Sequence, residues 1–528
     1  MLTEQGSSYD EVPYEDGCYP GTHPDRLATL ATVYGLPVPA LGRCRVLELG
    51  CARGGNLLPM ALELPDATFV GIDLSSRQIS EACELAARLG LQNVEFRAMS
   101  IADVDAGFGE FDFVVCHGVY SWVPAPVREQ ILEICSRNLS PEGLAYVSYN
   151  TYPGWSARGM VRDFVRFHAR EESSAEGRLE RTRGFLEELA AIQPNPAGAY
   201  AGILKAEGAR FHDATNSYLI HEVFEDDNHP CFVHEFLGRA ASFGLEFVAE
   251  AQSPGLLLGL PPAARAVIDR WAGNVASREQ YLDLVVNRAF RRSVLRRSGG
   301  EAPSAPSSER ITALAVRTGV APVSPGAAAD AASDAPVEFA HPDRTGTVKT
   351  NSPYLKSALM ALFEAAPCAL GFEDLWSRVR ERLAAGGRTP PLPDDEGRRL
   401  LRESLLRLFL SDLVDLHVCP PRPAAGVSAR PVASPLARVQ AADGALVTSL
   451  LRRPVEVDEL ARAVLLQLDG SRTVDGVLEA IVGRVVSGSL EMSDGSGPIR
   501  DPEAARKALG GEIEPAIRRL ARRGLLLG

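Results

Sequence analysis

The run Val46-Leu47-Glu48-Leu49-Gly50-Cys51-Ala52-Arg53-Gly54-Gly55-Asn56 narrows what this chain can fold into more than any other. A short apolar stretch ends in a glycine-rich turn, and a helix-like segment follows. Glycine enters left-handed backbone conformations freely and lets a ligand approach the main chain. The unit therefore reads as a buried strand, a ligand-binding turn and a helix.

The surrounding text repeats that unit. Apolar runs at Arg45–Leu49, Thr68–Ile72, Val94–Arg97, Phe111–Cys116 and Leu144–Ser148 alternate with helix-like segments such as Ser75–Leu89 and Ala125–Asn138. Such alternation predicts an α/β domain with a mostly parallel sheet and helices on both faces. Two further runs, Tyr218–Val223 and Leu245–Ala249, are expected to complete the sheet, and Arg278–Arg296 reads as helix.

At 528 residues the chain is too long for one core. The reading divides it into a ligand-binding domain over 1–255, with a helical insertion at about 156–215, and a helical regulatory or dimerisation segment over 256–297. A flexible Ala/Gly/Pro/Ser-rich linker over 298–337 follows, then a helical domain over 338–420 and a winged-helix-like domain over 433–528. The C-terminal half is expected to be separable from ligand binding.

Composition excludes several classes. A net charge of −13 argues against a general nucleic-acid binder, although Arg518, Arg519, Arg522 and Arg523 make the C-terminus locally basic. No apolar run reaches the length of a membrane span and the N-terminus is too polar for a signal peptide, so no membrane insertion and a cytoplasmic location are expected. The nine cysteines are odd in number, scattered and without a CxxC pair, which reads as reduced, mostly buried thiols.

Glu48 decides which ligand the turn suits. A dinucleotide would put an anionic pyrophosphate on the turn and has no use for a carboxylate there. S-adenosylmethionine (SAM) instead brings an ammonium and a sulfonium. Asp73, ending the second strand, is placed to accept hydrogen bonds from ribose hydroxyls; a helix-cap role is the plainer alternative. Ser100 and Ile101, at the end of the third strand, are expected at the adenine. The remaining cofactor candidates are Gly50, Cys51, Ala52, Gly54, Asn56, Leu74, His117 and Gly118.

The segments VLELGCARGGN, FVGIDLS, FGEFDFVVCHGVYSWVP and GLAYVSYNTYPGW resemble bacterial class I SAM-dependent methyltransferases with an attached methyltransferase regulatory region. Within that group the chain is similar to the protein lysine methyltransferases that modify outer-membrane proteins. The flanking segments at 8–14, 22–27, 225–230 and 278–283 share the resemblance. Ala52 departs from it, standing where many relatives carry glycine. The resemblance implies a Rossmann-like domain with a seven-stranded sheet, helical and winged-helix-like C-terminal domains, SAM as cofactor, and a protein or bulky acceptor as partner.

Methyl transfer asks mainly for alignment of the acceptor and exclusion of water. The mouth of such a fold lies beyond the carboxyl ends of its strands. That selects His117, Tyr120 and Tyr152 as catalytic candidates, and Trp122, Asn150 and Trp155 as acceptor contacts. Tyr9 and Tyr14 are candidates for a lid, or for a tethered arm. His117 is the candidate proton handler because its ordinary pKa lies near neutrality; a hydrogen bond to cofactor or backbone is the alternative. The acids and histidines between His221 and Glu235 lack a metal-binding spacing, so no metal is expected. Two other readings stand beside the protein methyltransferase: a small-molecule methyltransferase whose extra domains form a homodimer, and a non-catalytic SAM-binding scaffold.

Overall fold

The protein is described by a computed structural model covering residues 17–300, 303–324, 335–342, 346–385, 392–494 and 497–528. Tyr9 and Tyr14 lie outside these residues. The N-terminal domain is built on a seven-stranded sheet in the order β3-β2-β1-β4-β5-β7-β6. β1 (Arg45–Leu49), β2 (Thr68–Asp73), β3 (Val94–Ala98), β4 (Phe111–Cys116) and β5 (Leu139–Asn150) run parallel. β7 (Phe290–Arg297) is antiparallel and lies between β5 and β6 (Leu245–Glu250). The strand order reverses between β1 and β4, which opens a crevice at the carboxyl ends of these strands.

The central parallel strands β1, β2 and β4 are almost wholly buried, because helices cover both faces, while β3 at the edge is mostly exposed. α1 (Pro24–Val33), α2 (Leu57–Glu63) and α3 (Ser76–Arg88) precede α4 (Ala125–Arg137). Ser75 caps α3 by accepting a hydrogen bond from the Gln78 amide. The helical insertion runs through α5 (Gly154–His168), α6 (Ala175–Ala191), α7 (Ala199–Asp213) and α8 (Asn216–Phe224). Val161, Leu179, Leu204, Phe211 and Leu219 give it a small core of its own.

Two elements differ from the sequence reading. Tyr218–Val223 is not a strand: Thr215 caps α8 there, and its apolar face joins the insertion core. The stretch ending at Arg296 is not helical throughout. α9 (Val233–Ser242), α10 (Pro262–Trp271) and α11 (Val275–Val286) are helices, but β7 follows them and completes the sheet. Its arginines hid the strand pattern. Arg291 is fully buried because Asp283 grips it with two hydrogen bonds of 2.7 and 2.9 Å, and Glu279 adds one of 2.7 Å. The seven-stranded sheet therefore extends past the expected boundary at 255.

The expected linker is also corrected over its described part. Ile311, Leu314, Val316 and Val320 are buried, and Ala315–Thr318 forms β8. β8 pairs with β9 (Val414–His417) beside α12 (Pro353–Ala365), α13 (Phe372–Ala385) and α14 (Asp394–Leu410). Their core is continuous with that of the N-terminal domain: Leu27 and Leu30 of α1 belong to one apolar cluster with Ile311, Val316, Leu359 and Leu416. The C-terminal domain holds a separate core, formed by helices at Pro435–Asp443, Glu459–Leu465, Val474–Ser487, Pro502–Leu509 and Ile513–Arg522 and the hairpin β10 (Leu446–Thr448)–β11 (Pro454–Glu456). No helix among the described residues is long and apolar enough to cross a membrane.

Candidate active site

The turn after β1 is held from below by main-chain bonds, with the Gly50 and Cys51 amides both donating to the Ile72 carbonyl. Gly50, Ala52 and Gly54 have φ of 76°, 46° and 78°. A Cβ on Gly50 would come within 2.5 Å of the Val119 side chain, so space as well as conformation requires glycine there. Ala52 takes the same left-handed region with a side chain, and Asp73 supports it: Oδ2 accepts from the Ala52 amide at 2.9 Å. Asp73 Oδ1 accepts from the Ser75 amide at 3.0 Å, so Asp73 braces the turn while Ser75 caps the helix.

Glu48 and Asn56 close the other side of the turn. Asn56 Nδ2 donates to Glu48 Oε1 at 2.7 Å, and both residues are buried. Asn56 Oδ1 accepts from the Tyr19 amide and from Thr22 Oγ1, each at 3.0 Å. Beside Asp73, Leu74 leaves an apolar side chain 67% exposed at the strand end. Ser100 Oγ caps the short turn that begins at Ile101, accepting from the Ala102 amide at 3.2 Å. Cys51 is buried beneath the turn.

The loop after β4 forms the next wall. His117 Nδ1 lies 2.9 Å from the Tyr146 hydroxyl, and its ring is enclosed by Tyr19, Tyr146 and Phe290. Burial, and then the Arg292 charge, push its pKa down to about 3. It is neutral at physiological pH and a very weak proton acceptor. Gly118 follows, its amide held by Ser148 Oγ at 2.8 Å.

Tyr120 belongs to the core. It packs edge-on against Phe236 and Tyr149, and burial raises its pKa to about 12. Its ring therefore points into the core rather than to the place expected of a catalytic candidate. The Trp122 and Trp155 rings meet edge to face at 6.1 Å, with Trp155 buried. Tyr152 rests on Phe232 at 5.2 Å and lines a cleft of about 250 Å³ with Arg128, Asn228, His229 and Cys231. Asn150 is buried at the end of β5 and bonds Asn228 at 3.2 Å, tying this cleft to the sheet.

Tyr19, Thr22, Tyr146, Phe290 and Asn228 join the site without having been singled out in the sequence. Tyr19 and Thr22 carried a signal, since they precede the helix start at His23-Pro24. Phe290 did not, because its strand was hidden. The acids and histidines of the 221–235 segment pair locally, His221 with Glu225 at 3.0 Å and His229 with Asp227 at 2.8 Å. Among the described residues no three His, Cys, Asp or Glu side chains converge as a metal site.

A parallel sheet with this strand order, a glycine turn after β1 and an acidic residue ending β2 define the Rossmann-like class I methyltransferase fold. Comparisons with known proteins agree. Residues 42–175 match a methyltransferase domain model, 215–297 a predicted methyltransferase regulatory domain, and 429–525 the PKMT C-terminal winged helix domain. Protein RP789 of Rickettsia prowazekii is 32% identical over 527 residues, which cover 98% of this chain and 93% of that one. RP028 of the same organism is 35% identical over 233 residues, 44% of this chain and 93% of its own. The structure of PKMT2 from Rickettsia typhi in complex with AdoHcy superimposes with a TM-score of 0.87 at 25% identity, covering 98% of this chain and all of that one. The chain belongs to the family of RP789: SAM-dependent methyltransferases with a regulatory domain and a PKMT-type winged helix.

Proposed function

We propose that this enzyme methylates lysine side chains of a protein substrate. The observation that carries the reading is the full-length correspondence to PKMT2 of Rickettsia typhi, including the winged helix at 429–525. The site chemistry supports it. The turn fits SAM: Glu48 offers a carboxylate to the cationic amino-acid end, Asp73 a carboxylate to the ribose, and Leu74 an apolar surface to the adenine. Gly50, Cys51, Ala52, Gly54 and Asn56 shape the turn, and Ser100, Ile101, His117 and Gly118 bound it. SAM supplies an electrophilic methyl group on a sulfonium.

The acceptor enters between the β4 and β5 loops. Trp122, backed by the buried Trp155, and Tyr152 supply aromatic surfaces that can hold a lysine stem and favour a cationic nitrogen once the methyl has arrived. The lysine Nζ lone pair forms the new N–C bond as the C–S bond breaks, and the proton leaves to solvent. His117 is neutral and stays so; it positions the wall through Tyr146 rather than taking the proton. Desolvation by the aromatic walls favours the neutral amine that the reaction needs.

Incubating the protein with methyl-labelled SAM and host lysate tests the reading. Label recovered as ε-N-methyl-lysine in protein hydrolysates is the expected result. Label confined to the small-molecule fraction would move the chain to the small-molecule methyltransferases.

A further inference from the structure

Far from the crevice, an arginine of the winged-helix domain is inserted among carboxylates of the catalytic domain. Arg452 sits in the turn of the β10–β11 hairpin at φ 60°, a left-handed conformation that costs an L-residue energy. Its Nε donates to Glu63 Oε2 at 2.9 Å and its Nη1 to Asp25 Oδ2 at 2.9 Å, while Nη2 also reaches Glu63. The Arg452 side chain is 6% exposed and that of Asp25 1%. His417 of β9 lies 2.7 Å from the same Asp25 oxygen, and the Cys419 amide donates to Asp25 Oδ1 at 2.7 Å. Burial is the largest influence and pushes both carboxyls up, but Arg452 together with His417 and His23 outweighs it and holds Asp25 and Glu63 below the usual carboxylate range.

What the cluster holds matters more than its strength. Glu63 is the last residue of α2, the helix that begins directly after Asn56. Asp25 lies in the first turn of α1, and the residues just before it, Tyr19 and Thr22, donate to Asn56 Oδ1. Both limbs gripped by Arg452 therefore end on Asn56, which holds Glu48. We propose that Arg452 is a positioning residue for the SAM site, so that docking of the winged-helix domain and cofactor affinity are thermodynamically coupled. The proposal rests on the assignment of Glu48 and Asn56 to the cofactor.

Coupling must be reciprocal: if docking tightens cofactor binding, cofactor must tighten docking by the same factor. Binding of S-adenosylhomocysteine (SAH) to the full chain is compared by calorimetry for the wild type, Arg452→Met, Arg452→Lys and the triple variant Asp25→Asn/Glu63→Gln/Arg452→Met, which keeps no unpaired buried charge. Hydrogen exchange of the hairpin at 446–456 is followed with and without SAH. Arg452→Met and the triple variant should bind SAH roughly tenfold more weakly, within the usual range of coupling. Arg452→Lys should recover part of the loss, and kcat at saturating SAM should change far less than KM for SAM. SAH should slow hairpin exchange in the wild type and not in Arg452→Met. Removing the surface pair Arg88–Asp443, which links the same domains at 3.3 Å, should leave SAH affinity unchanged. Wild-type affinity in the folded triple variant, or hairpin exchange indifferent to SAH, overturns the proposal. Glu48→Gln separates the two claims: unaltered SAH binding there would refute the cofactor assignment, whatever Arg452 does.

Discussion

The Tyr19 ring lies 3.9 Å from the His117 imidazole, centroid to centroid, and so covers one side of that histidine. The contact joins the N-terminal arm to the β4 loop, where burial and the Arg292 charge hold the histidine's pKa down. His117 is therefore poorly suited to act as a general base.

The pH dependence follows from that enclosure. His117 is held down to about 3 by burial and Arg292, and His23 is also lowered, first by burial and then by Arg452. Both rings are protonated more readily in the unfolded chain. Their contribution to stability is complete above about pH 6.5 and is lost as pH falls toward the folded values, at up to about 1.4 kcal/mol per pH unit for each ring. Urea unfolding at pH 7 and pH 5 should show the loss, and His117→Asn should reduce it. The kcat profile of His117→Asn between pH 6 and 9 should keep the wild-type shape; a missing acidic limb would restore His117 as a base.

Asp73→Asn tests the end of β2. One of its two atoms becomes a donor and faces the Ala52 or the Ser75 amide instead of accepting from it. Losing one charge-assisted bond weakens the turn by about 1.5–3 kcal/mol, or roughly 10- to 150-fold in SAH affinity. Calorimetric titration with an unchanged dissociation constant would exclude Asp73 from the cofactor site.

Gly50→Ala combines two costs, a left-handed backbone and a Cβ 2.5 Å from Val119. Affinity for SAH should fall at least tenfold, since about 1–2 kcal/mol of backbone strain is added to the clash. Adding Val119→Ala should recover only the steric part. Full recovery in the double variant would show that φ is not constrained at Gly50.

Arg291 is fully buried with Asp283, Glu250 and Glu279 around it. Burial opposes its charge, but the three carboxylates outweigh burial and raise its pKa. Arg291→Met leaves Asp283 and Glu250 with Arg288 alone as counter-ion, at 2.7 and 3.9 Å, which should cost up to about 3–5 kcal/mol. Denaturant unfolding measures it, and a cost under about 1 kcal/mol would mean that the acids relax to water.

A chain cut after Arg297 should not behave as a folded methyltransferase. Leu27 and Leu30 of α1 would lose the apolar neighbours supplied by Ile311, Val316 and Leu416. Light scattering and SAH titration of the 1–297 fragment should show association and weakened binding. A monomeric fragment with wild-type affinity would separate the two halves after all.

The sequence made the front of the sheet readable because β1, β2, β4 and β5 carry apolar runs, with Gly50 directly after β1 and Asp73 ending β2. Glu48 and Asp73 could be singled out there, since a carboxylate beside the glycine turn suits a cationic ligand and one at the end of β2 suits ribose hydroxyls. β7 could not, because its buried positions include Arg291, whose partners come from α11 and β6. Tyr120 misled for the opposite reason: it stands in an aromatic loop that points inward onto Phe236. The segment at 303–324 looked structureless because its small polar residues outnumber Ile311, Leu314, Val316 and Val320, yet those are enough to seal an existing core.

The place of β7 between β5 and β6 has a consequence for how the chain is made. β6 bonds to the sheet only through β7, and β5 has β7 as its outer neighbour. A ribosome-bound chain that has not yet released residues 290–297 carries β5 as an open edge, with the whole helical insertion already synthesised beyond it. An open edge of that kind is a template for wrong pairing. The interval between emergence of Asn150 and emergence of Arg297 is thus a span of synthesis during which β5 is open to wrong pairing and a chaperone would protect it.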